Sequence, residues 1–164
     1  MADPPAAPGD TVVIAVRRLP ATLDPAAELD PWGQRIVDDL LFEGLTRRSE
    51  AAPWGVPALA ERCQVEHEGR SVACQLRPGA RFHDDQPVRV DDLLYSINLW
   101  IGPRGASLRQ RYGLDDLRSV EAGPPPGASG EGWVRLGFAH ADPLVLERIA
   151  AIKIVPRAQH PGPR

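Results

Sequence analysis

The residues able to do chemistry in this 164-residue chain are few and lie in short runs. His83-Asp84-Asp85 sets an imidazole beside two carboxylates, the groups a metal ion or an acid/base pair would use. Asp91-Asp92 and Asp115-Asp116 are adjacent carboxylates, and Cys63 and Cys74 are the two thiols. A metal or catalytic site needs groups that converge from several parts of the chain. The other histidines, His67, His140 and His160, fall in segments that read as turns or tails, so the 83–85 run reads as a structural loop. Asp91 and Asp92 belong to the first turn of a helix, where its dipole favours a negative charge, and Asp115-Asp116 to a turn. No serine nucleophile elbow, phosphate-cradling glycine loop or His-Glu-x-x-His pattern occurs, and the Gly102–Gly105 stretch is too short and closes a helix. The sequence assigns no catalytic residue, no metal ligand and no cofactor, and reads as a protein that is not an enzyme.

Composition narrows the partners. Hydrophobic residues at 43% and charged residues at 25% are those of a globular domain, and 18 prolines with 15 glycines predict short elements joined by turns. A net charge of -3 lacks the basic footprint of a nucleic-acid binder. No apolar run approaches the length of a membrane span.

Taken in order, the chain predicts a disordered Pro/Ala-rich tail at 1–10, a folded region over 11–156 and a second tail at 157–164. Thr11 to Val16 is a continuous β-branched and apolar run, expected of a strand buried on both faces in a parallel or mixed sheet. Asp30 caps a helix with Pro31 at its first position. Trp32, Ile36, Val37, Leu40 and Leu41 share one face of it, Gly44 is its left-handed cap, and Leu45 folds back on Leu40. Ala51 to Pro57 reads as loop, with Trp54 exposed. Cys63–Glu66 and Ser71–Leu76 form a hairpin about Glu68-Gly69, a register that sets Cys63 opposite Cys74. Both a cross-strand disulfide and two buried thiols fit that register. Val90 to Ile101 is a second helix with Leu93, Leu94, Ile97, Trp100 and Ile101 inward, stopped by Gly102-Pro103. Leu117–Ala122 and Trp133–Ala139 form another hairpin across the low-complexity, mobile linker GPPPGASGEG. Asp142-Pro143 starts a short helix ending near Ala151, followed by a strand over Ile152–Val155.

The stretch Leu76–Leu94, LRPGARFHDDQPVRVDDLL, is the most distinctive. Pro78-Gly79 marks a tight turn, Phe82 is the lone large apolar anchor of a polar loop, and Pro87 enforces extended backbone before the helix. This stretch resembles the signature of family 5 extracytoplasmic solute-binding proteins, the peptide-binding receptors of ABC importers. It departs from the family pattern at Asp85, where glycine is usual, and at Val90, where alanine is usual. TVVIAVRRLPATLDP, the helix end at Phe42–Leu45 and VPALAE at Val56–Glu61 resemble three further family segments, in order and spacing.

The resemblance implies a type II periplasmic-binding-protein-like α/β fold: a mixed sheet flanked by helices, with this chain as part of lobe one of two. It implies a receptor that grips a peptide or other small solute, or an amino-terminal fragment of one, with an ABC-transporter membrane permease as partner. It places the protein in the periplasm or cell envelope; MADPPAAPGD shows no secretory signal, which we attribute to an artefact of expression or of the gene's assigned start. Leu19, Pro20, Ala21, Thr22 and Leu23 follow the first strand and match the family segment that borders the cleft, making them the candidate ligand contacts. A lobe standing alone exposes a sheet edge or apolar face, so self-association is expected. The alternatives are a solute-sensing domain of a transcriptional regulator and, far behind, a small hydrolase using His83.

Overall fold

The computed structural model describes residues 15–160 apart from Arg17. The strand expected over Thr11–Val16 lies outside the described residues except for Ala15 and Val16, which belong to no strand.

The body is a four-stranded antiparallel sheet covered by helices. Its strands are β3 (Ala60–Glu66), β4 (Ser71–Leu76), β5 (Leu117–Ala122) and β6 (Trp133–Phe138), in the order β3-β4-β6-β5. Two hairpins thus pair through β4 and β6, the central strands. β1 (Thr46–Ser49) and β2 (Ala52–Pro57) form a separate two-stranded ribbon. The helices are α1 (Pro31–Ile36), α2 (Val90–Ile101), α3 (Ala106–Tyr112) and α4 (Val145–Ile149). All strand pairs among the described residues are antiparallel.

Side-chain alternation explains which helix packs where. Val72 and Cys74 on β4 pair with Leu136 and Val134 on β6, and all four are buried on one face. Against that face α2 sets Leu93, Ile97 and Trp100, and α3 and α4 add Leu108, Val145 and Ile149. Leu94 and Ile101 pack at the margin of the same cluster. Trp133 is also buried; Arg62 lies over its ring at 5.0 Å and its Nε1 donates to the Ser129 carbonyl at 3.3 Å, so the linker folds back onto the sheet. Cys63 and Cys74 are directly opposite and joined as a disulfide, which resolves the two alternatives left by the sequence.

Several expectations need correction. The Ala51–Pro57 stretch is not a loop: Ala52–Pro57 is β2, paired with β1, and its Pro-Trp-Gly content hid a strand on a solvent-facing ribbon. Ile152–Val155 is no strand; it meets the Glu43–Gly44 segment through the isolated bridge Gly44–Lys153, with Ile154 N donating to the Glu43 carbonyl at 3.0 Å. α3, after Gly102, went unread because it is only seven residues long. The first helix does start at Asp30, whose carboxylate accepts from Trp32 N and Gly33 N. It then widens into a π-helical turn over Val37–Leu41, closed by Phe42 N donating to the Val37 carbonyl. The wider turn rotates later side chains off the α-helical face. Val37 is buried, but Leu40 is 56% and Trp32 41% exposed. Leu45 accordingly packs in the main core and not on Leu40. Gly44 is no left-handed cap either: a Cβ there would sit 2.9 Å from the Ile152 carbonyl oxygen and 3.1 Å from that of Ala150. It is glycine because two backbone segments pass too closely for any side chain.

Candidate functional site

A cleft of about 950 Å³ opens where this close crossing meets the Phe82 corner. Its walls are the π-helical turn, the Phe42–Arg47 segment, the loop at Arg81–Asp84 and the chain from Lys153 to His160, with Asp24 and Pro25 at one rim. The floor is apolar, from Phe42, Leu59, Val88, Ile154 and Val155. Charged groups on the walls are mostly paired. Lys153, the chain's single lysine, is 12% exposed at its side chain and lies 3.5 Å from Asp38. His160 Nε2 meets Asp24 at 3.1 Å, and Glu43 is bridged to Arg77 at 3.5 Å. Among the described residues no buried side-chain nitrogen or oxygen lacks a partner. Such a wall offers shape, apolar area and satisfied dipoles.

The Phe82 corner is built by backbone bonds. Phe82 N donates to the Gln86 carbonyl, Asp85 N to that of Phe82, and Val88 N to that of Ala80. Phe82 packs against the core, while His83, Asp84 and Asp85 are exposed, the first two at the cleft wall. Among the described residues the three join no cluster of three or more His, Cys, Asp or Glu groups that could hold a metal ion. Asp85 has φ +63°, the left-handed conformation that glycine accepts most readily and aspartate tolerates better than most residues. The departure from the family's usual glycine therefore falls on a position whose geometry explains the glycine. The Gln159 amide donates to Asp84 at 2.5 Å and, with the Gln86 backbone N–H, holds that carboxyl below its ordinary value.

α2 fastens the far wall. Asp92 accepts from Arg89 N at 2.9 Å, capping the helix, and from Arg157 N at 2.8 Å with its other oxygen. One turn on, buried Ser96 donates to the Asp92 carbonyl at 2.7 Å and accepts from Val155 N at 3.0 Å. The helix thus presents a polar stripe to residues 155–157, a role for Asp92 beyond the favourable first-turn charge expected of it. Residues 157–160, read as tail, form a turn tied to this stripe, to Asp84 and to Asp24.

The candidate contacts Leu19–Leu23 directly precede Asp24 and Pro25, which stand at the rim. Leu19 is 80% and Leu23 41% exposed, and Ala21 is also exposed. Pro20 packs on the Gly33 backbone of α1, and Thr22 Oγ1 accepts from Asp24 N at 3.1 Å. None of the five lines the cleft; Asp24 and Pro25, which continue the segment, do. Sequence reasoning passed over Ser96 and His160. A serine four residues after a capping aspartate on a helix's inner face was the available signal for the first; for the second there was none.

Residues 55–158 match the family described as bacterial extracellular solute-binding proteins, family 5 Middle. The chain belongs to this family. Its members are binding receptors, not enzymes, and they are extracytoplasmic. No curated protein matches the chain in sequence. Among solved structures it is similar to NikZ from Campylobacter jejuni, determined in complex with Ni(L-His), with 26% identity and a TM-score of 0.71 over 93% of this chain and 29% of that one. The oligopeptide-binding protein AppA from Bacillus subtilis, in complex with a nonapeptide, matches at 19% identity and TM-score 0.64, over 82% and 25%. AgaA from A. tumefaciens R10, in complex with agropinic acid, matches at 24% and 0.69, over 85% and 27%. The latter two likenesses speak for the fold alone. This family 5 chain spans about 29% of the NikZ chain it matches, so its paired walls are one portion of a periplasmic-binding-protein-like α/β fold.

Proposed function

We propose that this chain is the amino-terminal part of the substrate-binding component of an ABC importer, and that it contributes to the capture of a peptide or similar small solute for a membrane permease. The observation that carries the reading is the family match over residues 55–158, on a fold shared with structures that hold a nonapeptide, a nickel–histidine complex and an opine. The apolar floor and paired charges of the cleft suit a role in gripping, since an extended ligand is held by dipoles and wet pockets, without a reactive group. In this proposal Leu19–Leu23 contact the solute from the rim, and the opposing wall comes from residues outside these 164. Among the described residues the outer edges of β3 and β5 pair with no further strand, which favours self-association.

Calorimetry tests the reading. Residues 1–164 are expected to show no micromolar binding of a nonapeptide or of nickel–histidine, whereas the product extended through its downstream reading frame binds at least one solute of these classes. Micromolar binding by the 164 residues alone overturns the partial-receptor reading; failure of the extended product to bind any of them overturns the receptor itself. Light scattering on the 164-residue chain is expected to report species larger than a monomer.

A further inference from the structure

The candidate contact loop is held in place by a residue at the opposite end of the chain. Within the loop the hydrogen bonds are local: Asp24 N donates to Thr22 Oγ1 at 3.1 Å, Ala26 N to Asp24 Oδ1 at 2.8 Å, and Ala27 N to the Asp24 carbonyl at 3.0 Å. Bonds spanning two or three residues shape a turn but do not fix where it lies. Among the described residues, the long-range polar contact of 18–27 is His160 Nε2 on Asp24 Oδ1 at 3.1 Å, bridging 136 positions. That oxygen is the one that orders Ala26.

His160 is well placed to act as the fixed side of this contact. Its side chain is 8% exposed, and Tyr95 Oη of α2 lies 2.9 Å from Nδ1, with the two rings edge to face at 5.7 Å. The neighbouring backbone is anchored by Arg157 N on Asp92, by Gln159 on Asp84 and by His160 N on the Pro156 carbonyl. In the neutral ring one arrangement satisfies both partners: Nε2–H donates to the carboxylate, and Nδ1 accepts the phenol hydrogen. Lost rotamer freedom is already spent on α2, so the ring offers Asp24 a donor that is fixed in position.

From this we infer that His160 is a positioning residue, which sets the loop carrying Leu19–Leu23 beside the cleft by holding Asp24, at the rim, against α2. Its bearing on solute capture rests on the function proposed above; the anchoring of the loop does not. Hydrogen exchange on the 164-residue chain therefore tests it without a ligand. In His160→Ala the amides of Asp24, Ala26 and Ala27 exchange at least about ten-fold faster, the loss expected of one hydrogen bond to a charged group, while those of β4 and β6 are unchanged. His160→Gln, whose amide nitrogen reaches the place of Nε2, restores most of the protection. His160→Asn, which reaches only Tyr95, does not. Nitrogen-15 spectra of the imidazole show a proton on Nε2, and a ring without one there overturns the assignment. Equal acceleration in loop and sheet, no acceleration in the loop, or equal behaviour of the Gln and Asn variants overturns the assignment. Should His160→Ala fail to fold, the Gln and Asn pair decides it.

Discussion

The two sides of this molecule are held by different physics. The sheet and α2 are joined by apolar side chains on alternating strand positions, and most of those at the centre are fully buried. The cleft wall is joined by single polar contacts between segments far apart in sequence: Ser96 to Val155, Asp92 to Arg157, Asp84 to Gln159 and Asp24 to His160. Apolar packing is non-directional and cumulative, so the first side tolerates sequence drift yet responds strongly to loss of volume. Hydrogen bonds are directional and individually modest, so the second side can be adjusted one contact at a time. Under the proposed function, this division would let a rigid half support a rim that is adjusted one contact at a time.

The largest effect should come from the rigid side. Trp133→Ala removes a buried ring and its contact with Arg62, and unfolding in urea should show a loss of about 3–5 kcal/mol. A loss under about 1 kcal/mol would remove the contrast. Next is the Cys63–Cys74 disulfide, which closes a sequence separation of 11 and ties edge strand β3 to β4. Its replacement by two serines should cost about 3 kcal/mol and lower the melting temperature, with thiol titration of the unreduced protein finding no free thiol. Asp92→Ala tests the seam between the sides. It removes the cap on Arg89 N and the partner of Arg157 N, and is expected to cost about 2 kcal/mol, with faster amide exchange at Val155–Arg157 than in β4. The smallest effect belongs to the corner. Asp85→Gly should raise stability by less than about 1 kcal/mol, because φ +63° costs glycine little, while Asp85→Val should lower it by about 1–2 kcal/mol. If glycine proves destabilising by thermal melting, the side chain has a role beyond its backbone.

The sequence was informative where the physics is local. Turn residues and alternation placed both hairpins of the main sheet, and counting outward from Glu68-Gly69 set Cys63 opposite Cys74 as observed. Asp30-Pro31 marked the start of the first helix, and the 3.6-residue spacing of Leu93, Ile97 and Trp100 marked α2. It misled where a neighbour decides. Gly44 is required by the passage of Ile152, over a hundred positions away, and no local pattern distinguishes that from a helix cap. The π-helical turn re-phased a face that periodicity alone assigned to α-helix.

By itself, then, the chain's order of residues determined the hairpins, the capped helices and the family to which they belong, since each depends on contacts among residues close in sequence or on motifs kept in order. Only the tertiary structure decided that residues 157–160 form part of a wall, that Asp92 and Ser96 hold it, and that His160 reaches Asp24. The physical reason is that a polar contact between distant segments needs one donor and one acceptor, which leave no period and no composition bias along the chain.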